Sequence, residues 1–411
     1  MAEESLEDKL KALGVKLGSQ GVPRPPPPRA LPIESVIPGE LIQTAFGETF
    51  RILANYPPDY RHGNGDLNLT APLKRMAEWG HADHLADDPR ASFFFLDTET
   101  SGLAGGAGTF AFLVGIGRYT QEGFELAQFF MRDPAEEPAL LAAVSAYLSG
   151  CRALVTFNGK AFDAPLLNAR YTLQGMTSPL AGMVHFDLLP LARRLWRERL
   201  PSRTLGYLEN AILGHTRTQE EVPGWLIPEM YFEYLRSRDA RPLAGVFYHN
   251  ATDVLSMAAL FRYIVRLLAD PLTEPFLDTL DRISLGRLFE ELGYDEIAAQ
   301  LYRSGLEQGL PESHRWITLE RLSLLCKRRG EWEAALSLWQ EAAAGGQVFA
   351  CVELAKYFEH RRHEYAEAAR WSEAGLAIVA ASNFPAYLRN QWNSELTHRL
   401  QRLRKLMGRS G

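Results

Sequence analysis

The sequence predicts an α/β domain, in which helices flank a sheet of mixed strand direction, followed by an all-helical region built from repeats. Between residues 91 and 270, three strand-like runs separated by short turns precede alternating helical and strand-like segments. Closely spaced strands followed by helix and strand in alternation are typical of a mixed sheet. From about residue 280, three similar helical segments recur at a nearly constant spacing, which indicates a helical repeat.

The composition narrows the class of protein. The chain has 411 residues, 46% hydrophobic and 23% charged, with a formal net charge of −6, which is ordinary for a globular protein of two or three domains. No apolar run approaches the length of a membrane span, and the acidic N-terminus is unlike a signal peptide. The three cysteines are scattered without metal-ligand spacing. We therefore expect a cytoplasmic protein without a membrane partner.

The first ninety residues divide into two parts. Residues 1–37 are predicted to form a short amphipathic helix followed by a Pro-rich linker, because residues 20–38 contain the run PRPPPPR. Residues 38–90 are predicted to be an extension that packs on the following domain. In this extension, ETFRILANYP has the pattern of a strand and APLKRMAEW that of a short helix.

The α/β domain is predicted to span residues 91–270. Its three hairpin-connected strands are ASFFFLD, TFAFLVGIGRYT and FELAQFFMR. A helix is expected to begin after Asp133-Pro134, a capping residue followed by a proline suited to the first turn. The strand RALVTFN and the helix DAPLLNARYTLQ come next. Further helices are predicted over 187–199, 204–213, 228–238 and 249–268.

The repeats are predicted to occupy residues 280–408. The segments LGYDEIAAQLY, RGEWEAALSLW and RHEYAEAARWS align on Ala298, Ala335 and Ala368. A small residue at a constant helical position allows a neighbouring helix to approach closely. The period and the Gly-x-aromatic-x-x-Ala pattern resemble tetratricopeptide repeats, although His363 replaces the glycine in the third copy.

Four acidic residues follow strands or begin helices in the α/β domain. Asp97 and Glu99 are two apart at the end of an apolar strand, so their side chains lie on the same face. Two such carboxylates repel each other unless a cation separates them, and Mg²⁺ or Mn²⁺ prefers oxygen ligands. Asp163 follows the strand RALVTFN, and Asp253 lies in the long helix with His249 one turn before it. Taken singly, Asp163 also suits a helix cap and Asp253 a first-turn acid.

The motifs DTET, NGKAFD and HNATD resemble the three exonuclease motifs of the DEDD superfamily, which has the ribonuclease H-like fold. More narrowly, the stretches DTETSGLAGGAGTFAFLVGIG and VFYHNATDVLSMAAL resemble the YprB-type family of ribonuclease H-like proteins. The resemblance implies a 3′→5′ exonuclease that hydrolyses DNA with two divalent metal ions, Mg²⁺ or Mn²⁺. An exoribonuclease with the same site, and a non-catalytic scaffold that binds nucleic acid, remain alternatives.

The resemblance also implies a role for each motif residue. Asp97 would bridge the two ions, Glu99 and Asp253 would complete one of them, and Asp163 would hold the other, partly through water. His249 is the candidate general base. Its four-residue spacing from Asp253 is usual for a tyrosine at this position, and Tyr248 stands at the five-residue spacing usual for a histidine, so Tyr248 competes for the role.

Several other residues are candidates for contact with nucleic acid. Asn158 is expected either to contact the terminal nucleotide or to close the turn before Asp163, and Gly102, Leu103 and Thr109 are expected to line the nucleotide pocket. The segment RRLWRERLPSR carries a net charge of +4 and suits phosphate contacts through Arg193, Arg194 and Arg197, or is simply a solvated helix face. Asp187 is expected to cap the helix that follows it. The resemblance further implies a protein partner for the repeats, such as a helicase in DNA repair.

Overall fold

A computed structural model describes residues 30–102, 108–218, 222–273 and 277–408. The predicted N-terminal helix and most of the Pro-rich stretch, residues 1–29, lie outside the described residues. The end of that stretch contacts the α/β domain, since the one-turn helix α1 (Ile33–Val36) begins with a fully buried isoleucine. The backbone N–H of Ala240 also donates to the Leu31 carbonyl at 2.9 Å.

A seven-stranded sheet of mixed direction forms the first half of the molecule, as predicted. Its strand order is β1-β2-β7-β6-β5-β8-β9, and β5, β8 and β9 run parallel while the remaining pairs are antiparallel. A separate two-stranded ribbon joins β3 to β4. The strands are β1 (Glu40–Thr44), β2 (Gly47–Tyr56), β3 (Arg61–His62), β4 (Gly65–Asp66), β5 (Phe93–Thr100), β6 (Ala111–Tyr119), β7 (Phe124–Phe130), β8 (Ala153–Thr156) and β9 (Val184–Asp187).

The N-terminal extension contributes β1 and β2 to the seven-stranded sheet, where β2 pairs with β7 along seven residue pairs. The helices around the sheet are α2 (Lys74–Trp79), α3 (Glu137–Tyr147), α4 (Asp163–Leu173), α5 (Leu188–Trp196), α6 (Leu205–Leu208), α7 (Ile227–Ser237) and α8 (Ala244–Ala269). Short 3-10 helices lie at Asp83–Leu85, Arg90–Ser92, Pro134–Glu136, Gly224–Leu226 and Arg241–Leu243, and a π-turn at Glu209–Leu213. Of the helices that the structure describes, none has the length and apolar character needed to cross a bilayer.

Strand β5 is buried on both faces, which explains its continuous apolar run. Phe93 and Phe95 point towards α8, where both rings contact the ring of Phe261. Phe94 and Leu96 point to the opposite face and belong to the core that includes residues of α3, α4 and α7. The strand is therefore rigidly held, and the side chains beyond Leu96 continue the same alternation.

The second half of the molecule is all-helical, as predicted, and consists of stacked helix pairs. Its helices are α9 (Thr279–Glu291), α10 (Asp295–Gln308), α11 (Glu312–Arg328), α12 (Trp332–Ala344), α13 (Val348–Tyr357), α14 (Tyr365–Ala381) and α15 (Ala386–Met407), with a π-turn at Phe358–Arg362. The core around Phe93 continues without a break into α9–α13, so the two halves share one apolar interior.

The three aligned repeats share two local features. Their marker residues Ala298, Ala335 and Ala368 are all fully buried, as expected of positions where helices approach closely. The residue five positions before each alanine has a positive φ: 81° at Gly293, 78° at Gly330 and 56° at His363. The third repeat thus keeps the left-handed turn although it lacks the glycine that makes this conformation favourable.

Candidate active site

Asp97 and Glu99 end the buried part of β5 on the face covered by α8. In the antiparallel pairing with β6, Asp97 is opposite Gly115 and Glu99 is opposite Leu113, and the register shifts immediately after Glu99. Only 9% of the Glu99 surface is exposed. The two carboxylates therefore share one face at the carboxyl end of the strand, as the spacing predicts.

The Asp97 carboxylate is held by Asn250, a residue that sequence reasoning missed. Asn250 lies fully buried in α8 and donates its Nδ2 to Asp97 Oδ2 at 2.8 Å. Its own Oδ1 accepts from Gln128 Nε2 at 2.9 Å, so the amide orientation follows from its partners. Gly115 leaves room for this amide, because a Cβ there would lie 2.2 Å from Asn250 Oδ1.

Asp163 reaches the same edge of the sheet from the opposite face. It begins α4, and its Oδ1 accepts a hydrogen bond from Thr98 Oγ1 at 2.5 Å. Thr98 lies between Asp97 and Glu99 on β5, so its side chain points away from theirs. The third acid is therefore tied to the strand that carries the first two.

The loop before Asp163 is held by Asp187. This aspartate caps α5 through the N–H of Leu189 at 3.0 Å, as predicted. It also accepts from the backbone N–H of Asn158 at 2.7 Å and of Lys160 at 3.2 Å. Asn158 has a φ of 69°, a conformation that asparagine adopts more readily than most residues. Asp187 thus positions the loop that leads to the candidate metal ligand.

Asp253 and His249 lie one turn apart on α8, with Asp253 Oδ2 and His249 Nε2 separated by 3.6 Å. The guanidinium of Arg217 contacts both: it forms an ion pair with Asp253 and lies 3.3 Å from His249 Nδ1 through its Nη1. Arginine can only donate, so Nδ1 is the acceptor in this contact. Arg217 also binds Glu209, with Nε 2.6 Å from Oε2. Nothing in the local sequence singled out Arg217 or Glu209.

Tyr248 points to a different neighbour. Its hydroxyl accepts from the backbone N–H of Thr218 at 3.2 Å. Burial raises the pKa of this phenol, but hydrogen bonds from Thr218 and Thr252 and the charge of Arg217 bring its pKa below the usual range. Of the two candidates for the base, His249 is the one whose ring lies against Asp253.

The neighbouring carboxylates raise one another's pKa values. Burial, followed by repulsion from Asp253 and Glu99, raises the pKa of Asp97 well above its usual range. Burial and the charges of Asp253 and Asp163 do the same for Glu99. Burial raises the pKa of Asp163 to about 6, against the hydrogen bond from Thr98. Such raised values mark a site whose negative charge is incompletely neutralised.

A small cavity of about 300 Å³ opens beside Asp163. Asn158, Thr109 and Gly102 line it together with the exposed Phe162, so three of the predicted nucleic-acid contacts lie beside Asp163. Leu103 falls outside the described residues. Arg193, Arg194 and Arg197 line a different and larger cavity of about 610 Å³.

Comparison of the chain with known proteins identifies its family. Residues 94–265 match the RNase_H_2 model of the RNase H superfamily. The chain is 33% identical to YprB of Bacillus subtilis (strain 168), an uncharacterized protein, over 334 residues that cover 79% of each chain. The chain belongs to the YprB family. These matches confirm the predicted resemblance to YprB-type ribonuclease H-like proteins, and residues 94–265 include Asp97, Glu99, Asp163 and Asp253.

Among solved structures, the family B DNA polymerase of the hyperthermophilic archaeon Pyrobaculum calidifontis is similar to this YprB-family chain at 16% identity and a TM-score of 0.33. The match covers 51% of this chain and 28% of the polymerase.

The candidate ligands of this YprB-family site are carboxylate oxygens, the type of donor that a hard divalent cation prefers. Four carboxylates, that of Glu99 buried and those of Asp97, Asp163 and Asp253 half-buried, supply oxygen ligands and surplus negative charge. Among the described residues, however, there is no group of three or more His, Cys, Asp or Glu side chains arranged to hold a metal ion. Asp253 is engaged by Arg217 instead. The site therefore contains carboxylates of the kind that bind a divalent metal, but one of them, Asp253, is paired with Arg217.

Proposed function

We propose that this protein is a metal-dependent 3′→5′ exonuclease that hydrolyses the phosphodiester bonds of DNA. The observation that supports this most directly is that Asp97 and Glu99 lie on one face of β5, with Glu99 buried and Asp97 half-buried, and with Asp253 and Asp163 near enough to raise their pKa values. Keeping this many carboxylates together costs several kcal/mol unless a counter-charge is supplied. A divalent metal is the counter-charge that also serves hydrolysis.

Two Mg²⁺ or Mn²⁺ ions, when bound, would stabilise the attacking and the leaving oxygen of the displacement. Asp97, Glu99, Asp163 and Asp253 would hold them. His249 would take a proton from the attacking water, because its ring lies at this cluster and imidazole accepts protons near neutral pH. Asn158 and Thr109 would position the terminal nucleotide in the cavity beside Asp163.

The test is hydrolysis of matched DNA and RNA oligonucleotides labelled at either end, in Mg²⁺ and in Mn²⁺. We expect the DNA label to be shortened from the 3′ end by the natural chain and not by Asp97→Ala. Equal degradation by both chains would contradict the proposal. Faster loss of RNA than of DNA would make the protein an exoribonuclease with the same site.

We propose further that the stacked helix pairs are tetratricopeptide-like repeats that bind a protein partner such as a helicase, in DNA repair. A groove of about 360 Å³ between α11, α12, α13 and α15 supports this, because it is lined by Trp332, Trp339 and Tyr357 among charged side chains. Calorimetry with a purified DNA helicase of the same organism should detect binding that Trp332→Ala weakens. Binding unaffected by that substitution would place the partner elsewhere.

A further inference from the structure

The larger cavity lies between the two halves of the molecule and is strongly basic. Its walls come from α5, from the loop after α5, from the end of α2 and from α9 and α11 of the helical region. They carry six arginines against two glutamates, Glu198 and Glu291, a balance of +4. The arginines are Arg193, Arg194, Arg197, Arg203, Arg287 and Arg321.

The glutamates around the cavity neutralise only part of this charge, and one of them, Glu290, pairs with Arg321 at 3.0 Å from outside the lining. Glu291 pairs with Arg194, and Glu198 pairs with Arg287 at 3.2 Å while also facing His314 at 3.2 Å. Among the residues that the structure describes, Arg203 donates to the backbone carbonyls of Leu200 and Pro201. Burial and the charges of Arg321 and Arg287 lower the pKa of the Arg194 guanidinium. The cavity thus holds cations that repel one another, which favours a bound anion.

Trp79 lines the same cavity, at the end of α2 where it is half-buried. Aromatic rings that stack bases, set among arginines that contact phosphates, are the combination by which single strands are bound without sequence preference. The helix α5, which carries two of the arginines, is capped by Asp187, the residue that holds the Asn158 loop. Arg193 and Arg197 follow six and ten residues later, about 9 and 15 Å along a helical path.

We propose that this cavity binds a segment of single-stranded nucleic acid at a distance from the acidic site, and that the helical region supplies part of the binding surface. The proposal rests on the proposed nuclease function for the identity of the anion. It makes Arg287 and Arg321 of the helical region contacts for phosphate, although they lie outside the domain that contains the acids.

The test measures the binding of a labelled single-stranded DNA oligonucleotide by fluorescence anisotropy. Divalent metal is left out so that no hydrolysis occurs. We expect Arg193→Ala/Arg197→Ala and, separately, Arg287→Ala to weaken binding by about 5-fold or more and to lower the salt dependence, because each lost phosphate contact reduces the slope. Trp79→Ala should weaken binding by about 5-fold or more with the slope unchanged. Arg236→Ala/Arg370→Ala removes two exposed arginines elsewhere and should have little effect.

Unchanged affinity in both arginine variants would overturn the proposal, and so would tighter binding of poly-glutamate than of DNA, which would indicate an acidic protein ligand. Inorganic tripolyphosphate that binds as tightly as the oligonucleotide would also overturn it. Cleavage assays on the same variants separate the two proposals, because loss of the cavity can leave cleavage of saturating substrate intact, whereas Asp97→Ala tests only the acidic site.

Arg217 carries a second and independent inference. It is nearly buried, with 9% of its side chain exposed, and it joins Asp253 to Glu209, whose side chain is 1% exposed. The Glu209 contact is made through two nitrogens, so it can anchor the guanidinium when another contact is lost. We propose that Arg217 is the resident cation of Asp253 and releases that carboxylate when a divalent metal binds. This rests on the metal site of the proposed function.

Calorimetric titration with Mn²⁺ tests this without any measurement of activity. Arg217→Gln should bind Mn²⁺ about 10-fold more tightly than the natural chain, because a competing cation is gone. Glu209→Gln should bind it more weakly, because Arg217 is then left to Asp253. Arg217→Lys keeps the charge and should stay close to the natural chain.

Urea unfolding of each variant shows whether it is folded, and Glu209→Gln serves as the test if Arg217→Gln does not fold. An affinity in Arg217→Gln equal to or below that of the natural chain would overturn the inference, as would tighter binding by Glu209→Gln. Absence of Mn²⁺ binding by the natural chain would instead refute the metal site on which the inference rests.

Discussion

The two halves of the molecule each bury carboxylates, and they neutralise them to opposite degrees. In the helical region, Glu359 is 4% exposed and accepts from Arg399 Nη1 at 2.5 Å and from Arg402 Nε at 2.8 Å. In the α/β domain, Arg217 is the cation in contact with Asp253 and Glu209, while Asp97 and Glu99 lie close by with raised pKa values. In the helical region, the Glu359 carboxylate thus contacts two arginines. In the described part of the α/β domain, Asp253 and Glu209 contact the same arginine, Arg217.

The difference suggests a test for telling carboxylates that stabilise the fold from carboxylates that serve the proposed site. A buried carboxylate whose partners are all supplied by the chain contributes to holding helices together. A cluster left with surplus charge of one sign is a place where an ion or ligand from outside completes the balance. The basic cavity between α5 and α9 follows the same rule with the opposite sign. The substitutions below test this distinction.

The largest effect is expected for Asp97→Asn. It removes a proposed metal ligand, so the exonuclease rate should fall by about 1000-fold or more, while the free energy of unfolding without metal should stay the same or rise, because a repelling charge has gone. Labelled-DNA hydrolysis and urea unfolding measure the two quantities. Asp87→Asn, at an exposed acid, is the control. A marked loss of stability in Asp97→Asn would show that the acid cluster is structural after all.

Glu359→Gln should show the opposite pattern. Removing the charge leaves Arg399, which is buried, without its full counter-charge, so the free energy of unfolding should fall by about 3 kcal/mol. The exonuclease rate per folded molecule should not change. Glu373→Gln, whose pair with Arg404 is exposed, should alter the free energy of unfolding by less than about 0.5 kcal/mol. Equal effects of the two substitutions would refute the structural role of Glu359.

Asn250→Ala should lower the exonuclease rate by about 10- to 100-fold, because groups that orient metal ligands have effects of this size. Asp97 would keep its charge and lose its hydrogen bond. The rate is measured per folded molecule, at saturating and at limiting Mn²⁺. Asn210→Ala, at an exposed asparagine, provides the comparison, and a rate equal to that of this control would mean that Asp97 needs no support from α8.

The smallest effect concerns pH. The pKa of Asp163 is about 6 in the folded protein and about 3.9 in an unfolded chain. The folded state therefore holds this proton more tightly, and the associated stability is complete below pH 4 and lost as the pH rises through 6. Allowing for partial exposure, we expect about 1–2 kcal/mol, which Asp163→Asn should abolish in urea unfolding at pH 4 and pH 7 without metal. Identical pH profiles would show that this acid is already neutralised.

Much of the site was predictable from local pattern. The period of two in a strand places Asp97 and Glu99 on one face, and the motif order brought in Asp163, His249 and Asp253. The supporting residues were less accessible. Asn250 lies inside the motif HNATD, so its position was a signal that went unused, while Gly115 and Gln128 became meaningful only through their contacts with it. Arg217 and Glu209 had no local signal. Arg217 meets Asp253 across 36 residues of chain, and the burial of Glu209 became visible only in the structure.

The sequence by itself determined the strands β2 and β5–β8, most helices of the α/β domain, the helical repeats with their buried alanines, and the four acids. These features follow from periodicity and local geometry, which act over a few residues. The tertiary structure decided which charges meet. It paired Arg217 with Asp253, set Arg287 and Arg321 beside the arginines of α5, and added β1 and β2 to the sheet. Electrostatic balance depends on distance in space, and residues far apart in the chain acquire it only when the chain folds.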